Sequence, residues 1–262
     1  LILVPLILPP FVGAIGLHHL LGRHGAISEL LIQMGFIDQG VDFIGQGGFW
    51  AIVLIEALHL YPIIYLNAAA ALANLDPALE EAASGLGASA WRRLRQIVLP
   101  LIRPGLFAGG TIVFIWSFTE LGTPLMFDYQ QVTPVQIFNG IKEMEGSTQP
   151  YALTAVLLIV AAGSYMIGKV LLGGRASTMY AKASIRSVPK KLGPMGGFLA
   201  LSLFVMVTGA AILPHLSVVA ASLSVEGAWY DSVLPTAWTV HNYDTALSHP
   251  LASGSIRNSL LY

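Results

Sequence analysis

Long apolar stretches are the feature that most restricts how this sequence can fold. Five of them reach the length of about 20 residues that a helix needs to cross the hydrocarbon core of a bilayer, and another apolar run begins near Ile256. The five lie at residues 1–21, 49–72, 106–126, 151–172 and 196–216. Only 10% of the residues are charged, against about 25% in soluble domains. We therefore predict an all-α membrane protein, a polytopic bundle with about five complete transmembrane helices.

The remaining composition argues against several classes of protein. The formal net charge is −1, which does not suit a protein that binds nucleic acid through general basicity. The sequence contains no cysteine, so disulfides and cysteine-ligated metal sites are excluded.

The basic residues predict how the chain is oriented in the membrane. Cytoplasmic connections are enriched in Lys and Arg, and ten of the 13 basic residues fall in two of the connections. These ten are Arg92, Arg93, Arg95, Arg103, Lys169, Arg175, Lys182, Arg186, Lys190 and Lys191. The segments around 75–104 and 169–191 are therefore predicted to be cytoplasmic, whereas 22–48, 127–150 and 217–255 are predicted to lie outside, the last with a short helix at 242–247.

A polar island interrupts the apolar sequence at residues 76–100, within which 80–100 read EEAASGLGASAWRRLRQIVLP. Asp76 can cap a first helix, Gly87 allows a turn, and Ser89 can cap a second helix. Pro100 and Pro104 are predicted to end that second helix before the next span. These residues predict a helical hairpin, and they leave open whether it receives another protein or rests on lipid headgroups.

The spacing within this hairpin resembles a family signature. The sequence matches EAA-x3-G-x9-I-x-L-P at Glu81, Ala82, Ala83, Gly87, Ile97, Leu99 and Pro100. This is the signature of binding-protein-dependent ABC importer permeases, and in detail the chain resembles the fused, two-unit permeases that import ferric iron. It departs from them in having a single EAA motif.

The resemblance implies a domain organisation. Residues 1–172 would be the C-terminal part of a first permease unit with its EAA hairpin at 76–100, and 173–195 would be a cytoplasmic linker. Residues 196–262 would begin a second unit, whose own EAA motif would follow later. We therefore expect the sequence to be part of a longer chain.

The resemblance also implies partners and a site. In this family the hairpin docks on a cytoplasmic ATPase dimer, which drives uptake of a solute delivered by a binding protein across the bacterial inner membrane. The implied docking residues are Glu81, Ala82, Ala83, Leu86, Gly87 and Arg92. Arg92, Arg93 and Arg95 are expected either to pair with acidic residues of the ATPase or to mark the cytoplasmic side and contact anionic lipid. No phosphate-binding G-x4-GK[ST] loop is present, so ATP is expected on the partner, with no cofactor and no catalytic residue on this chain.

Charged residues inside apolar spans usually have a function. Glu56, Glu120 and, one turn from Glu56, His59 are therefore candidates for a translocation path. Their oxygen and nitrogen atoms suit a hard cation such as Fe(III); the alternative is that they pair with neighbouring helices. Glu56 and His59 alone supply too few ligands for a resident metal site.

The substrate and the functional class have alternatives. Thiamine, polyamine, phosphonate and sulfate importers share the EAA motif with the ferric-iron importers. An intramembrane enzyme would need a nucleophile and a base at membrane depth, and no such signature is present. A passive channel would leave the EAA spacing unexplained.

Overall fold

The computed structural model describes residues 1–45, 48–142, 148–172 and 192–261. In those ranges the chain is helical and contains no strand, only an isolated bridge between Ser224 and Trp238. The first helices are α1 (Pro10–Leu21), α2 (Ala26–Gln33), α3 (Phe49–Ala73), α4 (Pro77–Gly85), α5 (Ala90–Arg93) and α6 (Leu99–Thr119). They are followed by α7 (Gly122–Met126), α8 (Thr133–Lys142), α9 (Gln149–Leu172), α10 (Pro194–Ser222), α11 (His241–Ser248) and α12 (Pro250–Leu261). The all-α class and the short helix near residue 242 are confirmed.

Four helical segments in the described residues are long and apolar enough to cross a membrane. They are Phe49–Ala73, Ala90–Thr119, Gln149–Leu171 and Pro194–Ser222. The predicted first span at 1–21 forms a 3-10 turn at Val4–Leu6 followed by the 12-residue helix α1. Prolines divide this stretch, because Pro9 and Pro10 lie at the start of α1 and lack the backbone N–H of a continuous helix. The predicted count of five is therefore not confirmed.

The helix that begins at Ala90 continues through both prolines that were predicted to end it. That prediction is wrong, since a single helical segment runs from Ala90 to Thr119. A π-helical turn at Leu94–Val98 joins α5 to α6, and the Leu99 N–H bonds to the Leu94 carbonyl five residues earlier. The wider turn accommodates Pro100, which in a regular helix would leave a carbonyl unpaired and collide with the preceding turn.

Helices α3 and α6 form the centre of the bundle, with α1 packed on α3 and α9 packed on α6. A small apolar core lies between α1, the start of α3 and the residues around Phe127. Its buried members are Ala14, Leu17, Ile44, Ala51, Ile55 and Phe127. In contrast, the most apolar window of α9 has no buried residue. That surface suits contact with lipid chains.

Helix α10 packs closely on α1 although it lies some 200 residues further along the chain. A Cβ atom at Gly16 would collide with the Pro214 carbonyl oxygen, so only glycine permits this approach. The Ser217 hydroxyl donates a hydrogen bond to the Gly16 carbonyl oxygen at 2.8 Å. The predicted linker at 173–195 falls almost entirely outside the described residues, and the division into two units stays a prediction.

The three segments predicted to lie outside meet at one end of the bundle. His24 Nδ1 is 2.7 Å from Asp231 Oδ1, which joins the α1–α2 connection to the segment after α10. The rings of Phe49 and Tyr129 lie 5.9 Å apart, which brings the segment after α7 to the start of α3. The hairpin follows the far end of α3. Among the described residues, the hairpin and the segments predicted to lie outside are therefore at opposite ends of α3.

Candidate functional site

The hairpin turn explains in physical terms why a glycine follows the third EAA residue by four positions. Helix α4 ends with the Gly87 N–H bonded to the Ser84 carbonyl at 3.0 Å and the Ala88 N–H bonded to the Ala83 carbonyl at 3.0 Å. This pair of bonds defines a Schellman motif, whose C′ residue adopts the left-handed conformation. That residue is Gly87, with φ +80°. A side chain here would strain the backbone although the surrounding space is open.

Two side-chain caps begin the helices of the hairpin, as the sequence predicts. The Asp76 carboxylate accepts a hydrogen bond from the Ala78 N–H at 2.9 Å. The Ser89 hydroxyl accepts one from the Arg92 N–H at 3.3 Å. Both caps satisfy backbone donors that a helix start leaves free. The hairpin therefore encodes its own shape within a short stretch of sequence.

The surface of the hairpin is open to a partner. Helix α4 has no buried residue, and the predicted docking residues Glu81 and Ala82 are exposed. Leu86 at the tip is 89% exposed, and Trp91 on the next helix is 69% exposed. Large apolar side chains at such positions are typical anchors of protein interfaces. Arg92, also exposed, donates from Nε to the Gln96 Oε1 atom at 3.1 Å.

The second candidate region is a cavity of about 480 Å³ at the opposite end of α3 and α6. Its walls are mostly apolar and come from α3, α6, α7 and the start of α8. Both candidate carboxylates, Glu56 and Glu120, line it, together with the hydroxyl residues Ser117 and Thr133. None of the described residues that line it is basic. The structure therefore brings together two of the three predicted path residues.

Thr123 connects the two carboxylates. Its hydroxyl donates a hydrogen bond to Glu56 Oε1 at 3.1 Å, and its backbone N–H donates one to Glu120 Oε1 at 3.2 Å. Glu120 Oε1 also accepts from the Gly122 N–H at 3.0 Å. Thr123 is fully buried, so it fixes both acidic side chains from behind. Glu56 in α3 and Glu120 just after α6, which are far apart in the sequence, are thereby held at one cavity.

The second oxygen of Glu56 is unsatisfied. Glu56 is 6% exposed, and its Oε2 atom has no hydrogen-bond partner among the residues that the structure describes. A buried polar atom without a partner is costly and calls for an explanation, such as a ligand at the site. Among the residues that the structure describes, no group of three His, Cys, Asp or Glu side chains is arranged to hold a metal ion. The cavity therefore presents two carboxyl groups and, among the described residues, no preformed metal cage.

His59 does not line the cavity. It is 3% exposed, and its ring lies 6.2 Å from that of Trp116 in an edge-on arrangement. Its Nδ1 atom is buried without a hydrogen-bond partner. The structure thus separates His59 from Glu56 and Glu120, although the sequence places it one helical turn from Glu56.

Comparison with known proteins decides the family. Residues 1–178, more than half of the chain, match a family described as "binding-protein-dependent transport system inner membrane component". This chain belongs to that family. The match includes the whole hairpin and every residue of the cavity.

Named members of this transport-component family resemble the chain with similar identity. The ferric transport system permease protein FbpB of Actinobacillus pleuropneumoniae is 30% identical over 190 residues, which cover 70% of this chain and 27% of that protein. The molybdenum transport system permease protein ModB of Haemophilus influenzae is 31% identical over 173 residues, covering 64% of this chain and 73% of that protein. ModB of Escherichia coli K12 is 35% identical over 124 residues, 47% of this chain and 52% of that protein. The chain thus spans less than a third of the ferric permease.

The sequence prediction for this family member missed three residues. Thr123 gives no signal in the sequence, because its role depends on contacts with residues far along the chain. Trp91 is not among the predicted docking residues, yet it is largely exposed on the second hairpin helix. Arg93 was grouped with the other arginines of the hairpin, from which it differs in its contacts.

Proposed function

We propose that this chain is a permease component of an ATP-driven importer in the bacterial inner membrane. The observation that carries the proposal is the exposed, internally braced hairpin with the EAA spacing, in a chain of the transport-component family. The hairpin lies at the cytoplasmic end and docks on a separate ATPase dimer. The binding protein delivers the solute to the other end, and a second permease unit completes the path.

The carboxylate cavity supports a path that begins with Glu56 and Glu120. Glu56 precedes the end of α3 by 17 residues, so the cavity lies about 25 Å from the hairpin along the helix. ATP-driven movement at the hairpin must therefore act on the cavity through α3 and α6. The chain's role is transport and the chemistry of hydrolysis belongs to the ATPase.

We propose ferric iron as the solute. Two carboxylates without a basic neighbour attract a hard cation with oxygen affinity. They repel an oxyanion by the same Coulomb interaction. The resemblance to the ferric permease supports this choice.

Molybdenum transport is the second candidate, because the ModB proteins resemble this chain with similar identity. A molybdate path would favour basic or neutral donors over paired carboxylates. The two carboxyl groups of the cavity therefore disfavour molybdate as the solute, whereas the similarity to the ModB proteins favours it.

Reconstitution tests both the importer role and the assignment of ferric iron as the solute. The natural full-length chain, its ATPase and its binding protein are placed in proteoliposomes, and uptake of radiolabelled Fe(III) is compared with uptake of radiolabelled molybdate. ATP-dependent uptake of iron supports the whole proposal. Uptake of molybdate alone overturns the assignment of iron. Absence of ATP-dependent uptake with a panel that adds thiamine, polyamine, phosphonate and sulfate overturns the importer role.

A further inference from the structure

Arg93 differs from the other arginines of the hairpin because it points back into it. Its Nη1 atom donates hydrogen bonds to the Ala88 carbonyl at 2.9 Å and to the Ser84 hydroxyl at 3.2 Å. The side chain is half-buried, whereas Arg92 and Arg95 are exposed. Arg93 therefore joins the end of α4 and the turn to α5.

These hydrogen bonds stabilise the joint between α4 and α5, which is the turn at residues 86–89. A force applied to α4 must pass through this joint to reach α5. Helix α4 buries no residue, and it packs on α5. The joint contains Gly87, the residue type with the greatest backbone freedom. Without a brace, a force on α4 would bend the turn before it moved the next helix.

The helix beyond the joint leads to the cavity without interruption. The segment Ala90–Thr119 is continuous, and Glu120 follows directly at its end. Movement of α5 therefore moves the helix that carries one of the two carboxylates. The connection of α4 to α3 at residues 74–76 is the other covalent route from the hairpin.

We propose that Arg93 is a positioning residue that fixes the angle between α4 and the α5–α6 helix, so that movement of a docked partner reaches the Glu120 end of α6. This inference rests on the proposed function, because it concerns how the hairpin transmits work. It assigns Arg93 a role inside the hairpin and no contact with the partner. Arg103, an exposed arginine on α6 that is not among the docking residues, is the matched control.

The functional test uses the full-length chain reconstituted with its ATPase and binding protein, and measures ATP hydrolysed per Fe(III) imported. Arg93→Ala removes both hydrogen bonds and should raise this ratio by about threefold to tenfold. The ATPase should still co-purify with the variant in normal amount. Arg93→Lys should restore part of the coupling, since one ammonium donor can reach one acceptor, and Arg103→Ala should leave the ratio unchanged. A ratio unchanged in Arg93→Ala, or raised equally in Arg103→Ala, overturns the inference.

A second measurement needs no transport. Residues 1–262 contain no cysteine. Once any cysteine elsewhere in the full-length chain is replaced by serine, Ala78→Cys and Arg95→Cys allow spin labels on the two sides of the turn. In nanodiscs with the full-length chain, Arg93→Ala should broaden the distance distribution and Arg103→Ala should not. An unchanged distribution overturns the role of Arg93 and leaves the proposed function intact. If the distribution broadens while no hairpin variant, Gly87→Val included, alters uptake or hydrolysis, the proposed function is wrong.

Discussion

The hairpin and the carboxylate cavity are built in opposite ways. The hairpin is exposed, and its caps, turn and arginine brace are all made by residues within the stretch 76–96. The cavity is assembled from distant helices, and the bond between Glu56 and Thr123 joins residues 67 positions apart. The hairpin can therefore keep its shape when a partner moves it. The cavity can change its shape when its helices move relative to one another.

This difference separates two kinds of variant. Changes in the hairpin should affect how ATP hydrolysis is coupled to the membrane chain. Changes in the cavity should affect how much solute crosses, while hydrolysis stays responsive. The following predictions run from the largest expected effect to the smallest.

Gly87→Val should have the largest effect. A β-branched residue at φ +80° strains the turn by about 1–2 kcal/mol and shifts the α4 surface. We expect uptake and binding-protein-stimulated hydrolysis both to fall about tenfold in proteoliposomes. Gly85→Ala is the control, because Gly85 lies within α4 and an added Cβ meets no atom within 4 Å. Normal coupling in Gly87→Val would contradict the role of the turn.

Glu56→Gln and Glu120→Gln should each lower Fe(III) uptake about tenfold, because each removes one of the two charges that attract the cation. The double variant should lose more. Glu226→Gln removes an exposed carboxylate outside this cavity and serves as the control. If uptake is the same in all of these variants, the cavity is not part of the path.

Leu86→Ala should weaken binding of the purified ATPase about fivefold, because an exposed leucine at the tip is the side chain best placed to enter a pocket of the partner. The affinity can be measured on immobilised nanodiscs. Leu171→Ala, which changes another strongly exposed leucine at the end of α9, should leave affinity unchanged. Equal affinity for wild type and Leu86→Ala would remove this residue from the docking surface.

Thr123→Val should lower uptake about threefold, since valine keeps the shape and loses the hydroxyl bond to Glu56. The backbone bond to Glu120 remains, which limits the loss. Thr123→Ser keeps both bonds and should transport at nearly the wild-type rate. A similar loss in both variants would indicate a packing role for Thr123 in place of its role in holding the carboxylate.

Ser89→Ala should have the smallest effect, with uptake within about twofold of wild type. The cap contributes about 1 kcal/mol to a helix start, but α5 is continuous with a membrane span that holds it in place. A fall as large as that of Gly87→Val would mean that the hairpin depends on its caps more than on its turn.

The same contrast explains what the sequence could predict. The hairpin was predictable because its caps and turn are encoded by neighbouring residues, and both caps are confirmed. The end of its second helix was not, because the π-turn before Pro100 is a local adjustment that prolines alone do not reveal. Thr123 and the packing of α10 on α1 depend on long-range contacts, for which a single sequence contains no signal.

The most direct test measures ATP hydrolysis and Fe(III) uptake together in the same proteoliposomes. Our account predicts that Gly87→Val loses both stimulated hydrolysis and uptake, whereas the double variant of Glu56→Gln and Glu120→Gln keeps stimulated hydrolysis and loses uptake. If the two variants lose hydrolysis and uptake in the same proportion, the division between a hairpin that couples and a cavity that carries the solute is contradicted.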